Sequence, residues 1–563
     1  MKKLLLMVVA LVFAALAMAQ TNNPVSLYEG AIVQSVEFDY ANLSSDTTLM
    51  NAYAKVVESE FRITPLSQFN SFLASYYLSK LNLLPFVDRA TMNVAPTAQN
   101  EVVVVVSVAF LKAEIAEKQR HVTSLPVLYS SDRTFLTLKV AASEMAYSNL
   151  DAWFAQPEVM TEGNPLADQP VGEGYTAWVE GFGSAGVYGI VKVIPRMNLH
   201  IYGGANYLVA FSAGNELFTR KARISGAVEE AFVGLIGGGH TAQGHIYKYN
   251  ATYGRKQFTL GDGWLIVNTS MNGDDRAALQ LNPRWAGKSL LQAGVVWNRI
   301  FVQLFRLKPN ELDILNSRTV LNGANVELRN RKNGLLSLTF LQVPKSAFRY
   351  FMPDGSTHTR QGLQVYALRV AQTTGQSGGL FFKSEIGYQR NTNFPMSAWA
   401  GYGEVGWNFK TTRTAPAVSY RFAYFGGDDP DSRGYNRWDA LYTGGNGEQW
   451  VQGSNMYKVV QNSNEISHRL QGVFTPLPKV QMVGQIWLFY AAQKNNIGGN
   501  PALTTLQSRH YGSEYNLTVK YFHSKNWYFH LNTAYTLAGR AVRVNVPHTR
   551  SWFCLSFFAR YSF

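Results

Sequence analysis

The 563-residue chain carries 51 Lys and Arg against 37 Asp and Glu, a formal net charge of +14, with charged residues only 16% of the total. Its single cysteine, Cys554, excludes an intrachain disulfide and any cysteine-based metal site. Mean hydropathy is −0.11, and beyond the N-terminus no run of about 18 apolar residues occurs. That excludes helical membrane spans but not a β-barrel, whose lipid-facing and lumen-facing residues alternate and average out.

Met1-Lys2-Lys3, the apolar run from Leu4 to Leu16, and Ala17-Met18-Ala19 before Gln20 read as a secretory signal peptide over residues 1–19. The run is short for a membrane span. The expected address is the periplasm or outer membrane of a two-membrane bacterium. Export sets nucleic acid aside as a partner. The Lys and Arg residues are scattered singly, which leaves anionic lipid or an anionic solute.

Residues 20–115 read as a small α+β domain. Ile32 to Phe38 forms a strand. A helix follows the Ser45-Asp46 cap, with Leu49, Tyr53, Val56 and Phe61 on its apolar side. A second helix is expected from Thr64-Pro65, with Leu66, Phe69, Leu73, Tyr76 and Tyr77 turned to the core. Strands at Thr91–Val94 and Val102–Phe110 flank a turn at Pro96 to Asn100. This β-α-α-β-β order, with the apolar pattern of residues 78–94, resembles a POTRA domain, although the glycines common in that family are absent. The resemblance implies a periplasmic module that docks cargo or a protein partner. Its open sheet edge is either Ile32–Phe38 or Val102–Phe110.

Residues 116–135 form a linker, and residues 136–563 read as repeated strands. The expected fold class is an all-β transmembrane antiparallel β-barrel of about eighteen strands, with sixteen as the alternative. Short periplasmic turns alternate with longer extracellular loops in such barrels. Short connections fall at Pro195-Arg196-Met197, Asn298-Arg299, Arg331-Lys332-Asn333, Pro476-Leu477-Pro478 and His523-Ser524-Lys525. Longer ones fall at 151–173, 259–286, 345–359, 427–464 and 492–511, whereas 235–244 is long for a turn and 392–395 short for a loop. At the C-terminus Phe553, Leu555, Phe557, Ala559, Tyr561 and Phe563 share one apolar face. Ending on Tyr561 and Phe563, this segment resembles the closing strand that barrel-assembly machinery recognises.

Alternation also assigns the lumen. Val418, Tyr420, Phe422 and Tyr424 oppose Ala417, Ser419, Arg421 and Ala423, and Tyr515, Leu517, Val519 and Tyr521 oppose Asn516, Thr518 and Lys520. A charge facing lipid near the midplane costs roughly 2–4 kcal/mol, so the polar set faces inward. The lumen cations are then Arg255, Arg329, Lys383, Arg421, Arg469, Lys520 and Arg560, with Glu327, Glu385 and Glu404 as lumen acids. They either lower the barrier for an anion or fill the lumen as ion pairs, Arg329 with Glu327 and Lys383 with Glu385. Residues 299–308 do not alternate cleanly and stay unassigned.

Two segments go beyond barrel pattern. Tyr253-Gly254-Arg255-Lys256-Gln257 precedes Leu260-Gly261-Asp262-Gly263, and Gly426-Gly427-Asp428-Asp429-Pro430 precedes Arg437-Trp438-Asp439-Ala440-Leu441-Tyr442. In this order they resemble motifs of the alginate-export family, over about residues 174–563. The resemblance implies an eighteen-stranded monomer whose arginine-rich lumen conducts anionic polysaccharide. Asp262, Asp428, Asp429 and Asp439 are its motif carboxylates, and tying loops to the wall is their favoured role. Trp438 and Ala440 stand where that family has Phe and Pro, and the POTRA-like domain is a further departure. A rival resemblance is to Omp85 and two-partner-secretion translocators, which have sixteen strands. Its support is Arg433-Gly434-Tyr435, a possible lumen-folding tip in the longest loop.

Catalysis has no footing. His240 and His245 make a poor metal pair, and no nucleophile elbow, zinc-protease helix or P-loop pattern occurs. Asp428, Asp429 and Asp431 read as a solvated loop tip rather than a calcium site. No cofactor is expected. The sequence predicts an outer-membrane channel for export or diffusion of an anionic or polar solute or polysaccharide. Its expected partners are outer-membrane lipid, the assembly machinery and a periplasmic protein met through residues 20–115. A protein translocator is the alternative.

Overall fold

The computed structural model describes residues 26–563 except 42–46, 99–100, 112–121, 153–173, 195–197, 215–221, 331, 353, 374–377, 410–413, 415, 430, 433, 445–449, 497–505, 525 and 545–548. The signal segment and Arg433 lie outside the described residues.

The N-terminal domain has the expected β-α-α-β-β order: Ile32–Ala41, Thr47–Glu60, Ser71–Asn82, Val87–Ala98 and Glu101–Phe110. Glu101–Phe110 is the central strand, parallel to Ile32–Ala41 and antiparallel to Val87–Ala98. Its valine run suits a strand covered on both faces, and Val102, Val104 and Val106 are buried. It is therefore not an open edge, and the edges are Ile32–Ala41 and Val87–Ala98.

Two helix expectations need correction. The second helix starts at Ser71, not at Thr64-Pro65, and Asn70 caps it by accepting from the Leu73 amide at 2.9 Å. The residues before it run beside the edge strand instead. Phe69 N donates to Ala31 O at 2.8 Å, and Val33 N donates to Ser67 O at 2.9 Å. Backbone pairing there outweighs the helical start that Pro65 favours. In the first helix Met50 and Val57 face the core, while Leu49 and Val56 are exposed.

Eighteen antiparallel strands close the barrel, the first Thr134–Leu150 and the last Trp552–Ser562. These two pair directly, from Phe553 opposite Leu150 to Ser562 opposite Ala141. Phe563 also exchanges backbone hydrogen bonds with Val140, both 2.9 Å. The 235–244 irregularity resolves because Arg223–His240 extends further than its apolar pattern, leaving a short turn before Ile246–Arg255. The strand Ile300–Lys308 alternates after all, with Val302 and Leu304 exposed and Phe305 and Leu307 buried.

Candidate functional site: the lumen and its two closures

Side-chain direction follows the pleat. Val418, Tyr420, Phe422 and Tyr424 are exposed on the outer face, while Ser419, Arg421 and Ala423 are buried inward. On His510–Tyr521, Tyr515 and Leu517 face out and Asn516, Thr518 and Lys520 face in. On the last strand Phe553, Leu555 and Phe557 are exposed, but Tyr561 and Phe563 are buried, with Tyr561 against Trp527. An apolar outer face on a closed ring, with its polar residues turned inward, places the protein in the outer membrane.

Several lumen cations are paired. Glu327 takes Arg329 on one oxygen and Arg369, at 3.0 Å, on the other. Arg469 reaches Glu404 at 2.6 Å. Lys383 does not pair with Glu385 as expected. It binds Glu101 of the N-terminal domain, while Glu385 sits in the field of Asp262 and Arg369. Arg421 lies over the Trp450 ring at 4.6 Å and the Trp487 ring at 5.3 Å. Arg255 Nε donates to Glu229 O at 3.3 Å. Lys520 and Arg560 line a chamber in the lumen.

The long-loop end of the barrel is filled from within. Trp264, from the 256–288 connection, stacks on Trp438 at 5.3 Å and meets Trp450 at 6.4 Å, both from the 426–464 connection. This aromatic cluster packs on inward residues of the wall, among them Ala400, Tyr402 and Phe425. The family-motif carboxylates Asp262 and Asp439 bond to its members Tyr402 and Tyr350, and Asp428 and Asp429 order the 426–464 connection itself. Asp262 accepts from Tyr402 Oη, and the adjacent Gly261, at φ 59°, presses on the Arg369 guanidinium where a Cβ would approach to 2.8 Å. Asp439 receives Arg360 at 2.7 and 2.8 Å, together with Tyr350 Oη. Asp428 accepts from the Asn436 amide at 2.9 Å, and Asp429 from the Asp431 amide at 3.0 Å.

A second set of carboxylates belongs to the wall and was not singled out from sequence. Glu180 accepts from the amides of Gln280 and Leu281, the latter at 2.7 Å. Glu229 accepts from Trp285 N and Ala286 N, both 2.6 Å. Glu514 accepts from Ser454, Asn455 and Met456 amides. Each clamps an inward loop by its backbone, and bonds to a charged acceptor are worth about 1.5–3 kcal/mol each. Alternation marks Glu514 as inward, but nothing local in the sequence names its partners.

The short-turn end is met by the N-terminal domain. Phe72 packs on Tyr188 and Phe135 at 5.8 and 6.1 Å, and Tyr76 on His200 at 5.7 Å. Glu29 pairs with Lys139 at 3.3 Å. Arg62 donates to Gly237 O at 2.6 Å, Arg329 to Pro65 O, and Thr373 Oγ1 to Gln34 O at 3.1 Å. Leu66 is buried against Leu335 and Ala371.

Between these closures lies a chamber of about 380 Å³, within the usual range for ligand cavities. Domain residues such as Tyr28, loop residues such as Gln280 and Tyr457, and the wall all line it. From Glu465–Leu477 round to Thr134–Leu150, the wall lends it Arg469, Lys520, Arg560 and Lys139, and among the described residues no carboxylate. The carboxylates that line the chamber come from elsewhere, Glu229 and Glu230 from a separate strand and Glu29 and Glu101 from the N-terminal domain. Among the described residues no three His, Cys, Asp or Glu side chains gather as metal ligands. Of the translocator tip, Gly434 and Tyr435 are described, and Tyr435 is buried, stacked on Tyr350 at 5.0 Å.

No curated protein sequence matches the chain. OccK11 (OpdR) of Pseudomonas aeruginosa is similar at 10% identity and TM-score 0.44, over 76% of this chain and 95% of that one. OpdK of Pseudomonas aeruginosa, solved with vanillate, gives 10% and 0.42 over 76% and 98%. CdiB from Acinetobacter baumannii gives 10% and 0.31 over 95% and 74%. The family profile described as alginate export matches residues 223–553, more than half of the chain. The chain belongs to the alginate-export family, and it is an outer-membrane channel, not an enzyme.

Proposed function

We propose that the channel carries an anionic polysaccharide or another anionic, polar solute. The observation that carries this reading is the cationic arc of the chamber wall, Lys139, Arg469, Lys520 and Arg560, of which Lys139 is met by Glu29 and Arg469 by Glu404. Cations in a confined, low-dielectric passage concentrate anions and lower their barrier. Tyr28, Phe522, Tyr528 and Phe558 add an aromatic lining to the same chamber. Of the sequence-derived cations, Arg421 faces the lumen without an acidic partner among the described ion pairs, held instead by Gln452 at 3.3 Å and two tryptophan rings.

In this reading the N-terminal domain, POTRA-like in its element order, also meets a periplasmic partner. Leu49 and Val56 on its first helix are exposed for such a contact. The test is the reversal potential of the full chain in a bilayer under a salt gradient. Anion preference that weakens in Arg421→Glu and Lys520→Glu supports the reading. Cation preference in the unaltered protein contradicts it.

A further inference from the structure

The N-terminal domain touches opposite walls of the ring. Phe72 packs on Tyr188 of Tyr175–Ile194, the second barrel strand. Glu101 pairs with Lys383 of Gly379–Asn391, the eleventh, half a circuit away in a ring of eighteen. The arc between is met at Gly237, Arg329, Ala371 and Thr373. On the other arc Tyr28 stacks on Phe522 at 6.0 Å. Deeper in, Gly30, at φ 80°, lies against the Trp285 ring of an inward loop, where a Cβ would come within 3.1 Å. Every wall contact lies at the short-turn end, the periplasmic one.

The seat differs from the rest of the molecule in kind. Among the described residues the domain's three-stranded sheet shares no strand pairing with the barrel. Val57, Leu81 and Val104 are fully buried within the domain, and its apolar core continues through Phe72 and Tyr76 to Phe135 and Tyr188 of the wall. Contacts between such units resemble transient interfaces, for which relative motion is the ordinary expectation. Two ionic contacts among the described residues, Glu29 with Lys139 and Glu101 with Lys383, place carboxylates of the domain on lumen cations.

We propose that the N-terminal domain is a movable plug that closes the periplasmic mouth, with Glu29 and Glu101 occupying the cations Lys139 and Lys383 that an anionic cargo takes when the plug withdraws. The cargo half of this statement rests on the anion reading above; the plug half does not.

A disulfide lock tests it in the full chain. Ser79 Oγ and Ser130 Oγ are 2.6 Å apart, and Ser130 pairs with Phe135 of the barrel sheet. Ser79→Cys with Ser130→Cys, in a Cys554→Ser background, joins the domain to the wall. Single-channel recording should show loss of conductance on oxidation and its return on reduction. Equal conductance in both states, high or low, overturns the plug. Glu29→Gln with Glu101→Gln should raise the open time without redox chemistry, and an unchanged open time also counts against it. The reversal potential of the reduced protein separates the two ideas. Cation preference with a working lock removes the anion reading and leaves the plug. Anion preference without a lock effect does the reverse.

Discussion

The two ends of the lumen are narrowed by different chemistry. At the extracellular end the loops are part of the wall's own core. Trp264, Trp438 and Trp450 pack on strand residues, and the buried carboxylates of Glu180, Glu229 and Glu514 grip loop amides. At the periplasmic end a domain with a sheet of its own sits in the mouth on side-chain contacts. A backbone clamp to a buried charge opens only by leaving that charge unpaired, which is costly. A seated domain withdraws whole, with its internal hydrogen bonds intact. The difference teaches that the fixed constriction and the movable one are at opposite ends.

Breaking the extracellular end should cost most. Asp439→Ala strands Arg360, whose guanidinium is buried. Loss of one partner of such a pair costs about 3–5 kcal/mol. Urea unfolding in liposomes should show that loss, while the N-terminal domain keeps its own protease resistance. Next comes the lipid face. Leu517→Arg should destabilise by roughly 2–4 kcal/mol near the midplane, whereas the same change at the inward neighbour Thr518 should cost far less. Glu514→Gln should loosen the Ser454–Met456 segment by about 1.5–3 kcal/mol, the worth of a bond to a charged acceptor. Hydrogen exchange at those amides reads it.

The smallest effect sharpens the periplasmic side. Glu101→Gln removes one partly buried pair, worth about 1 kcal/mol or less. It should raise the withdrawn fraction of the domain no more than about fivefold, a factor that 1 kcal/mol sets. Limited proteolysis of the full chain in liposomes reads that fraction.

Much of the wall was legible because one rule governs it. An apolar, exposed face at every second residue fixes the strands, and turn length fixes their direction. Val418 to Tyr424 and Tyr515 to Lys520 face as their alternation predicts. The closures were not legible for the same reason. Alternation says that Lys383 points inward but not that Glu101, some 280 residues earlier in the chain, meets it there. It cannot tell that Glu385 lies in the field of Asp262 and Arg369 instead. The second helix was misplaced because Ser67 and Phe69 use their backbone on the edge strand, a tertiary choice that local propensity does not record. Motif carboxylates such as Asp262 and Asp439 stood out as turn chemistry, and the structure gives them loop-tying partners.

The most direct test compares the two closures in one experiment. In a Cys554→Ser background, Leu66→Cys places a thiol in the domain's seat, and Met456→Cys places one under the extracellular loops; both native side chains are buried. Labelling of the full chain with a maleimide should reach position 66 measurably, and faster with Glu29→Gln and Glu101→Gln, while position 456 stays protected. Equal rates at the two positions, or faster labelling at 456, would contradict a fixed extracellular constriction and a movable periplasmic plug.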